Sequence, residues 1–329
     1  MIAPRSNVKL GLVPTHIRFV GGLVPNEAGE MPKTADGQLK LLAEVQRLVE
    51  ASPAPIEVVQ FPLFDGVRLD EVQQLLAAMQ DMKIEPQLIL MLGGGNPMLS
   101  ADEEAFVTSA KQLVGHARDL GVAHLSSTSL EIWMEPGALR LEGEAYRDAL
   151  QQIAKVHRRV VQETELLDSG VKHWHLEFLR EGEFRTFTDL QRGWDAVRHC
   201  NELIGEPFFK VLVDAAHCGD SGRSLDDNLA LIQRIGEADE LGVFHASAKT
   251  TRGCLSTDDG WIGATLQACA ATGRLEFALV EVFHHEDEAL AGLRELDPGH
   301  GIDTTDGRTY DQVVMDGLVD VAHRLNNLA

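Results

Sequence analysis

The chain has 329 residues, 44% of them hydrophobic, so it is long enough to bury a large core. Its net charge of −22 repels phosphate backbones and disfavours a nucleic-acid partner. No apolar run reaches the roughly 18 residues that a membrane span needs, and the N-terminus has no signal-peptide pattern. Because the four cysteines show no CxxC spacing, we expect reduced thiols and a cytoplasmic protein.

Eight short β-rich segments alternate with eight amphipathic helical segments. The predicted strands cover residues 9–13, 56–61, 87–92, 121–126, 172–178, 208–214, 241–247 and 277–283. The predicted helices cover residues 38–51, 69–82, 103–120, 144–166, 189–203, 225–235, 261–272 and 310–328. The basic cluster His157-Arg158-Arg159 falls on the fourth helix, where we expect it to face solvent.

Strict alternation of strands and helices predicts a parallel sheet with crossover helices. Eight such units close a (β/α)8 barrel, which typically takes about 250 residues plus insertions. An open doubly wound sheet fits the alternation too, but at this length it more often divides into two domains, and no linker divides this chain. We therefore predict one (β/α)8 TIM-barrel domain over residues 1–329, with extended loops at about 22–37 and 127–143 and a C-terminal helix.

The last four predicted strands each carry an ionisable side chain near their carboxyl ends, where barrel enzymes place their active sites. These side chains are Glu177, Asp214, His245 and Glu281. Since side chains alternate along a strand, all four can point inward at one level. A single carboxylate at a strand end is more often a helix cap or a surface group, but four in succession favour a common site.

Three carboxylates in one cavity repel each other, and a divalent cation removes that repulsion. Oxygen ligands with one imidazole suit Mn²⁺, Mg²⁺ or Co²⁺ somewhat better than structural Zn²⁺. The four strand-end residues are therefore predicted metal ligands, with Mn²⁺ the preferred ion and Zn²⁺ an option. His173 and His175 are expected to be buried, hydrogen-bonded core histidines, and His284 and His285 to line the rim or face solvent rather than bind metal.

This pattern resembles the xylose-isomerase-like barrel superfamily, in particular the ketose 3-epimerases of the D-tagatose/D-psicose type. In that family a Glu, an Asp, a His and a Glu from strands five to eight hold a metal, and they match the four residues above. The family's second Glu, six residues after the first, matches Glu183 in HLEFLREGEF, and its Asp-x-x-His matches His217 in DAAH. The resemblance implies that His217 and Glu183 contact each other and a substrate oxygen.

The family also carries an Arg shortly after the histidine of strand seven. The segment HASAKTTRG offers Arg252, one residue later than usual, and Lys249 as its competitor. Both are candidate substrate-binding residues. A Gly-Trp pair, Gly260-Trp261, opens the following helix as it does in relatives.

The resemblance implies a metal-dependent sugar isomerase or epimerase that transfers a proton through an enediolate. Glu177 and Glu281 would remove and return the proton, and His217 would act beside them. Glu183 and Arg252 would bind substrate hydroxyls. The implied partner is a small carbohydrate, and we expect a homo-oligomer, or a hetero-oligomer if the chain is a deglycosidase.

Several departures keep other functions open. The HxHxE run of strand five is unusual, and the loops after strands one and four are long. The superfamily also contains inosose isomerases, inosose dehydratases and lyases that cleave 3-oxo-glycosides, and a non-catalytic metal- or sugar-binding barrel is a more distant alternative. The endonuclease IV branch is disfavoured, because FPLFDG and LGGGN end strands two and three without a histidine.

Overall fold

A closed barrel of parallel strands forms the centre of the computed structural model, which describes residues 2–248, 260–297 and 307–328. The strands are β1 (Lys9–Val13), β2 (Val58–Leu63), β3 (Glu85–Leu90), β4 (His124–Ser127), β5 (His173–Glu177), β6 (Phe209–Asp214), β7 (Leu241–Ala246) and β8 (Phe277–Glu281). Neighbours pair in chain order, and β1 closes the barrel by pairing with β8. The predicted single-domain (β/α)8 barrel is confirmed.

Helices surround the barrel on its outer face. They are α1 (Lys40–Ala51), α2 (Leu69–Asp81), α3 (Glu103–Asp119), α4 (Gly143–Glu163), α5 (Leu190–Ile204), α6 (Ala215–Asp220), α7 (Leu225–Glu237), α8 (Trp261–Ala271), α9 (Ala291–Leu296) and α10 (Tyr310–Leu328). The short helices α6 and α9 are additions to the predicted set, because six residues are too few for a periodic apolar pattern. Within the described part of the chain, no helix has the length and apolar character that crossing a membrane requires.

Two apolar layers separate the inside of the barrel from its outside. The large outer core lies between the strands and the helices. The smaller inner core fills the barrel itself and consists of Val13, Val58, Leu212, Val243, Phe277 and Leu279. Leu212, Val243 and Leu279 each precede a predicted site residue by two positions, so the strand repeat places Asp214, His245 and Glu281 directly above this inner layer.

Three histidines pack together at the opposite, N-terminal end of the barrel. The ring centroid of His124 lies 5.7 Å from that of His173 and 5.8 Å from that of His175. His175 is fully buried and its Nδ1 donates to the carbonyl of Leu125 at 2.9 Å, as expected for a core histidine. The side chain of His173 is 25% exposed and lies 3.6 Å from Glu276, so its predicted burial is wrong.

The predicted solvent-facing position of His157 is also wrong. Its ring is fully buried, Nδ1 donates to the carbonyl of Ile153 at 2.8 Å, and Nε2 lies 2.8 Å from the Ser129 hydroxyl. Arg158 does face solvent, and Arg159 pairs with Glu103. His157 faces inward because it shares the apolar stripe of α4 with Ile153, four residues earlier.

Burial of His157 predicts that the protein loses stability in mild acid. Burial lowers the pKa of His157 from about 6.5 to about 4. Between these pH values the unfolded chain binds more protons than the folded one, so stability falls as the pH drops through this window. We expect the urea midpoint of His157→Gln to depend less on pH between 6.5 and 4 than that of the wild type, and an unchanged dependence would contradict the assignment.

Candidate active site

The carboxyl ends of β5 to β8 bring the four predicted metal ligands together inside the barrel. The side chain of Glu177 ends β5 and is 13% exposed, whereas Asp214 and His245 are 0% and 1% exposed. Asp214 pairs with His245 across β6 and β7, which places both at the same level. Asp214, His245 and Glu281 each offer one ligand atom, and these atoms lie within 4.8 Å of one another.

A second group of three shares Asp214 with the first. It contains Glu177, Asp214 and His217, whose ligand atoms also lie within 4.8 Å of one another. Glu177 Oε1 is 3.9 Å from His245 Nδ1, so the two groups form one continuous cluster. The structure therefore places all four predicted ligands, and His217 beside them, in a single buried site.

A hydrogen-bonded glutamine fixes the orientation of His245. The Nε2 of His245 lies 2.9 Å from the Oε1 of Gln60, and the amide nitrogen of Gln60 donates to Gln87 at 3.3 Å. Because Gln60 Oε1 can only accept, Nε2 carries the proton. The neutral ring then presents the lone pair of Nδ1, which lies 3.5 Å from Glu281 Oε2.

Burial and neighbouring charges together shift the pKa values of this cluster. Burial raises the pKa of Glu177, and the charge of Glu281 raises it further, although His217 and His245 oppose the shift. Burial disfavours the protonated form of His245, but the carboxylates of Glu281, Glu177 and Asp214 outweigh it and raise the pKa of the imidazole. The raised pKa of His245 indicates surplus negative charge around this ring, which a positive partner would balance.

The site meets a structural test for a cation. Asp214 Oδ1 accepts from the backbone N–H of His217 at 2.8 Å. Asp214 Oδ2 and His245 Nδ1 are both buried, and neither has a hydrogen-bond partner among the described residues. A buried carboxylate oxygen and a buried imidazole lone pair are costly without a partner, and both are ligand atoms of divalent metals. The residues present therefore fit a divalent cation.

His217 bridges the acidic cluster and Glu183. Its Nδ1 lies 3.2 Å from Glu177 Oε1 and 3.7 Å from Asp214 Oδ1. Its Nε2 lies 3.9 Å from Glu183 Oε2, so the predicted neighbours are adjacent. That distance is too long for a hydrogen bond, so the two side chains are neighbours, as the resemblance implies, without a direct bond between them.

Three residues of the site were not predicted. Gln60 orients His245, the Ser247 hydroxyl donates to Glu281 Oε2 at 2.9 Å, and Trp133 Nε1 donates to Glu183 Oε1 at 3.3 Å. The sequence does indicate Gln60, since it is the polar residue of the otherwise apolar strand VVQFPL. Ser247 follows His245 by two positions, but Trp133 lies in a loop and has no signal of this kind.

The remaining predicted residues lie outside this cluster. Lys249 and Arg252 fall within residues 249–259, which are outside the described residues. Gly260 has a φ of 103° and directly precedes α8, so the predicted Gly-Trp opening of that helix is confirmed. His284 and His285 stack on each other with ring centroids 5.3 Å apart, and neither belongs to the two ligand groups.

A buried carboxylate joins the loop after β4 to the loop after β5. Glu131 Oε1 accepts from the backbone N–H of Arg185 at 2.9 Å. Glu131 Oε2 accepts from the N–H groups of Thr186 at 2.8 Å and Phe187 at 3.2 Å. The carbonyl of Glu183 accepts from the N–H of Met134 at 2.7 Å, so the two loops are connected at Glu183 as well as at the residues that follow it.

We expect Glu131→Gln to lower the free energy of unfolding by about 1–3 kcal/mol, because one carboxylate oxygen becomes an amide that cannot accept these N–H groups. Urea unfolding followed by circular dichroism measures the change. Glu144→Gln is the matched control, since Glu144 is exposed on α4. Equal midpoints for the two variants would show that Glu131 does not stabilise the loops.

Comparison with solved structures finds the same fold in several proteins of low sequence identity. D-psicose 3-epimerase from Clostridium cellulolyticum is 14% identical with a TM-score of 0.71, over 97% of this chain and 99% of that one. The IolI protein with a bound zinc atom is 14% identical with a TM-score of 0.62, over 96% and 98%. The 3-keto-D-glucoside 4-epimerase of E. coli is 12% identical with a TM-score of 0.56, over 88% and 97%.

Comparison with models of known protein families finds no match, and comparison with curated protein sequences finds none. Identities of 12–14% show a shared fold and leave the activity to be argued from the site. The (β/α)8 barrel predicted from the sequence is thus confirmed, and D-psicose 3-epimerase and the IolI protein share this fold over nearly the whole chain.

Proposed function

We propose that the protein is a divalent-metal-dependent isomerase or epimerase of a small carbohydrate. The observation that carries this proposal is the buried convergence of Glu177, Asp214, His245 and Glu281 around an Asp214 oxygen with no described hydrogen-bond partner. Two similar structures support it: an epimerase of D-psicose and a protein with a bound zinc atom.

Glu177, Asp214, His245 through Nδ1, and Glu281 would hold the ion. The oxygen-rich ligand set favours Mn²⁺, with Mg²⁺, Co²⁺ or Zn²⁺ as the other candidates. The chemistry that such an ion supplies is stabilisation of negative charge on substrate oxygens.

Proton transfer is the role that we propose for Glu177 and Glu281. They end β5 and β8, so they approach the cavity from different sides of the barrel. One carboxylate would accept the proton from the carbon beside the substrate carbonyl, leaving an enediolate. The other would return a proton to the opposite face in an epimerase, or to the next carbon in an isomerase. A positioned acid–base group contributes roughly 10²–10⁴-fold to the rate.

Neighbouring residues would orient the substrate and the two carboxylates. Ser247 holds Glu281 through a 2.9 Å hydrogen bond, and His217 lies 3.2 Å from Glu177. His217 and Glu183 would bind substrate hydroxyls at the edge of the cluster. Arg252, or Lys249 in its place, is proposed to bind a further substrate oxygen from outside the described residues.

A lyase acting on 3-oxo-glycosides is the second candidate. One similar structure is a 3-keto-D-glucoside 4-epimerase, whose named substrate carries a carbonyl beside hydroxyl-bearing carbons. In such a substrate, proton removal by Glu177 or Glu281 would give an enolate. Its electron pair could then expel a β-leaving group as a second molecule.

Turnover in D₂O tests the proposed function and separates the two candidates. Ketoses, inososes and 3-oxo-glycosides are supplied to the enzyme with Mn²⁺, and the products are analysed by NMR and mass spectrometry. Because carboxylates exchange protons with water, we expect deuterium at one carbon of an epimer or isomer. Release of an aglycone or of water would favour the lyase. A product without carbon-bound deuterium, even at early times, would contradict proton transfer by Glu177 and Glu281.

A further inference from the structure

A cavity of about 480 Å³ lies beside the proposed active site. The loop after β4, the loop after β5 and α9 form its walls, which include Met134, Pro136, Glu183, Arg185, Glu295 and Leu296. Glu183 connects the cavity to the acidic cluster, because its Oε2 lies 3.9 Å from His217 Nε2. A group in this cavity would therefore be separated from the proposed proton-transfer residues by one or two side chains.

Hydrogen bonds from backbone N–H groups join two of the three walls of this cavity. The N–H of Arg185 donates to the buried Glu131 carboxylate at 2.9 Å. The N–H of Met134 donates to the carbonyl of Glu183 at 2.7 Å, so opposite walls are joined directly. Two loops that are already joined can bind a ligand without the entropic cost of ordering them.

Two charged groups of the wall lack partners. Within the described ranges, the Arg185 guanidinium and the Glu295 carboxylate make no hydrogen bond or ion pair. The guanidinium offers five N–H donors and the carboxylate offers only acceptors. Met134, Pro136 and Leu296 add apolar surface between them.

The charges decide which class of ligand fits. Glu135, Glu183 and Glu295 outnumber Arg185 along the wall, so a phosphate or carboxylate group would be repelled. A purely apolar group would remove Arg185 and Glu295 from water without replacing their hydrogen bonds, which is costly. A group with several hydroxyls both donates and accepts, and its C–H or ring faces can pack on Met134 and Leu296.

We propose that this cavity binds a hydroxylated extension of the substrate, either a second sugar ring or a phenolic aglycone. The extension is joined to the sugar ring that reacts beside Glu177 and Glu281, so the inference rests on the proposed function. It makes the substrate a glycoside and assigns Arg185 as the residue that selects it over a free monosaccharide.

Ligand binding tests the cavity separately from turnover. The full chain is titrated, with Mn²⁺ present, with four two-unit probes: maltose, cellobiose, salicin and arbutin. Calorimetry and saturation-transfer NMR measure binding, and methyl glucoside is the one-ring reference. We expect at least one two-unit probe to bind about 10-fold more tightly than methyl glucoside. Arg185→Met should remove most of that difference, because a hydrogen bond to a charged group contributes about 10-fold or more.

Arg158→Met is the matched control, because Arg158 is an exposed arginine of α4, and it should bind every probe like the wild type. Glu295→Gln should weaken the binding of the two-unit probes as well.

Preference for maltose and cellobiose would identify a sugar ring as the extension, and preference for salicin and arbutin would identify a phenolic group. Equal binding of one-unit and two-unit probes, no effect of Arg185→Met, or tighter binding of glucose 6-phosphate than of any two-unit probe would overturn the proposal. Failure of deuterium incorporation would instead overturn the proposed reaction while leaving these binding results valid.

Discussion

Replacing Glu281 with glutamine is expected to lower turnover by at least about 100-fold, as for loss of a positioned base. The amide keeps the size of the side chain and an oxygen that can accept from Ser247, but it cannot accept a proton from carbon. The loss of one negative charge should also weaken metal binding. The rate is therefore measured with Mn²⁺ in excess, and metal content and melting temperature are recorded for the same sample.

Glu276→Gln is the control for this prediction. Glu276 directly precedes β8 at the N-terminal end of the barrel, so it lies on the same segment of chain but at the opposite end from the site. It should keep wild-type turnover. If Glu281→Gln retained more than about a tenth of the activity with metal bound, Glu281 would not be a proton-transfer residue.

The alternation of side chains along each strand explains why much of the site could be predicted from the sequence. In β6, β7 and β8 an apolar residue of the inner core stands two positions before a polar one, as with Leu212 and Asp214. This local pattern requires only that strand side chains alternate. The burial of Asp214 and its closeness to His245 follow from the pattern once the barrel closes.

Contacts between distant segments could not be predicted in the same way. Glu131 accepts N–H groups from residues more than 50 positions later, and nothing around it in the sequence indicates those partners. Gln60 orients His245 from the far side of the barrel, across 185 positions. His157 was mispredicted from its basic neighbours, although its spacing from Ile153 on α4 indicates burial. Composition was the weaker guide there, because one position on an apolar stripe decides which way a helical side chain faces.

Asp214→Asn is expected to lower the affinity for Mn²⁺ by at least about 100-fold, more than the 10–100-fold that replacing an outer partner of a metal ligand costs. The amide oxygen can still accept the N–H of His217 that Asp214 caps at 2.8 Å, so the start of α6 should stay intact. What is lost is the charge of a carboxylate whose second oxygen is buried without a described partner. Calorimetric titration of metal-free protein measures the affinity without any substrate.

The variant His217→Gln tests whether His217 binds the metal or only lies next to it. His217 belongs to one of the two ligand groups, but it lies 3.2 Å from Glu177 and 3.9 Å from Glu183, which suits a residue that orients substrate. We expect this variant to bind Mn²⁺ within a few-fold of the wild type and to lose most turnover. Bound Mn²⁺ should also raise the free energy of unfolding of the wild type and of His217→Gln equally, by about 2.7 kcal/mol when the free Mn²⁺ concentration is 100 times Kd. If His217→Gln lost the metal and Asp214→Asn kept it, the ion would be held by a different set of side chains, and Asp214 and His217 would have to exchange their assigned roles.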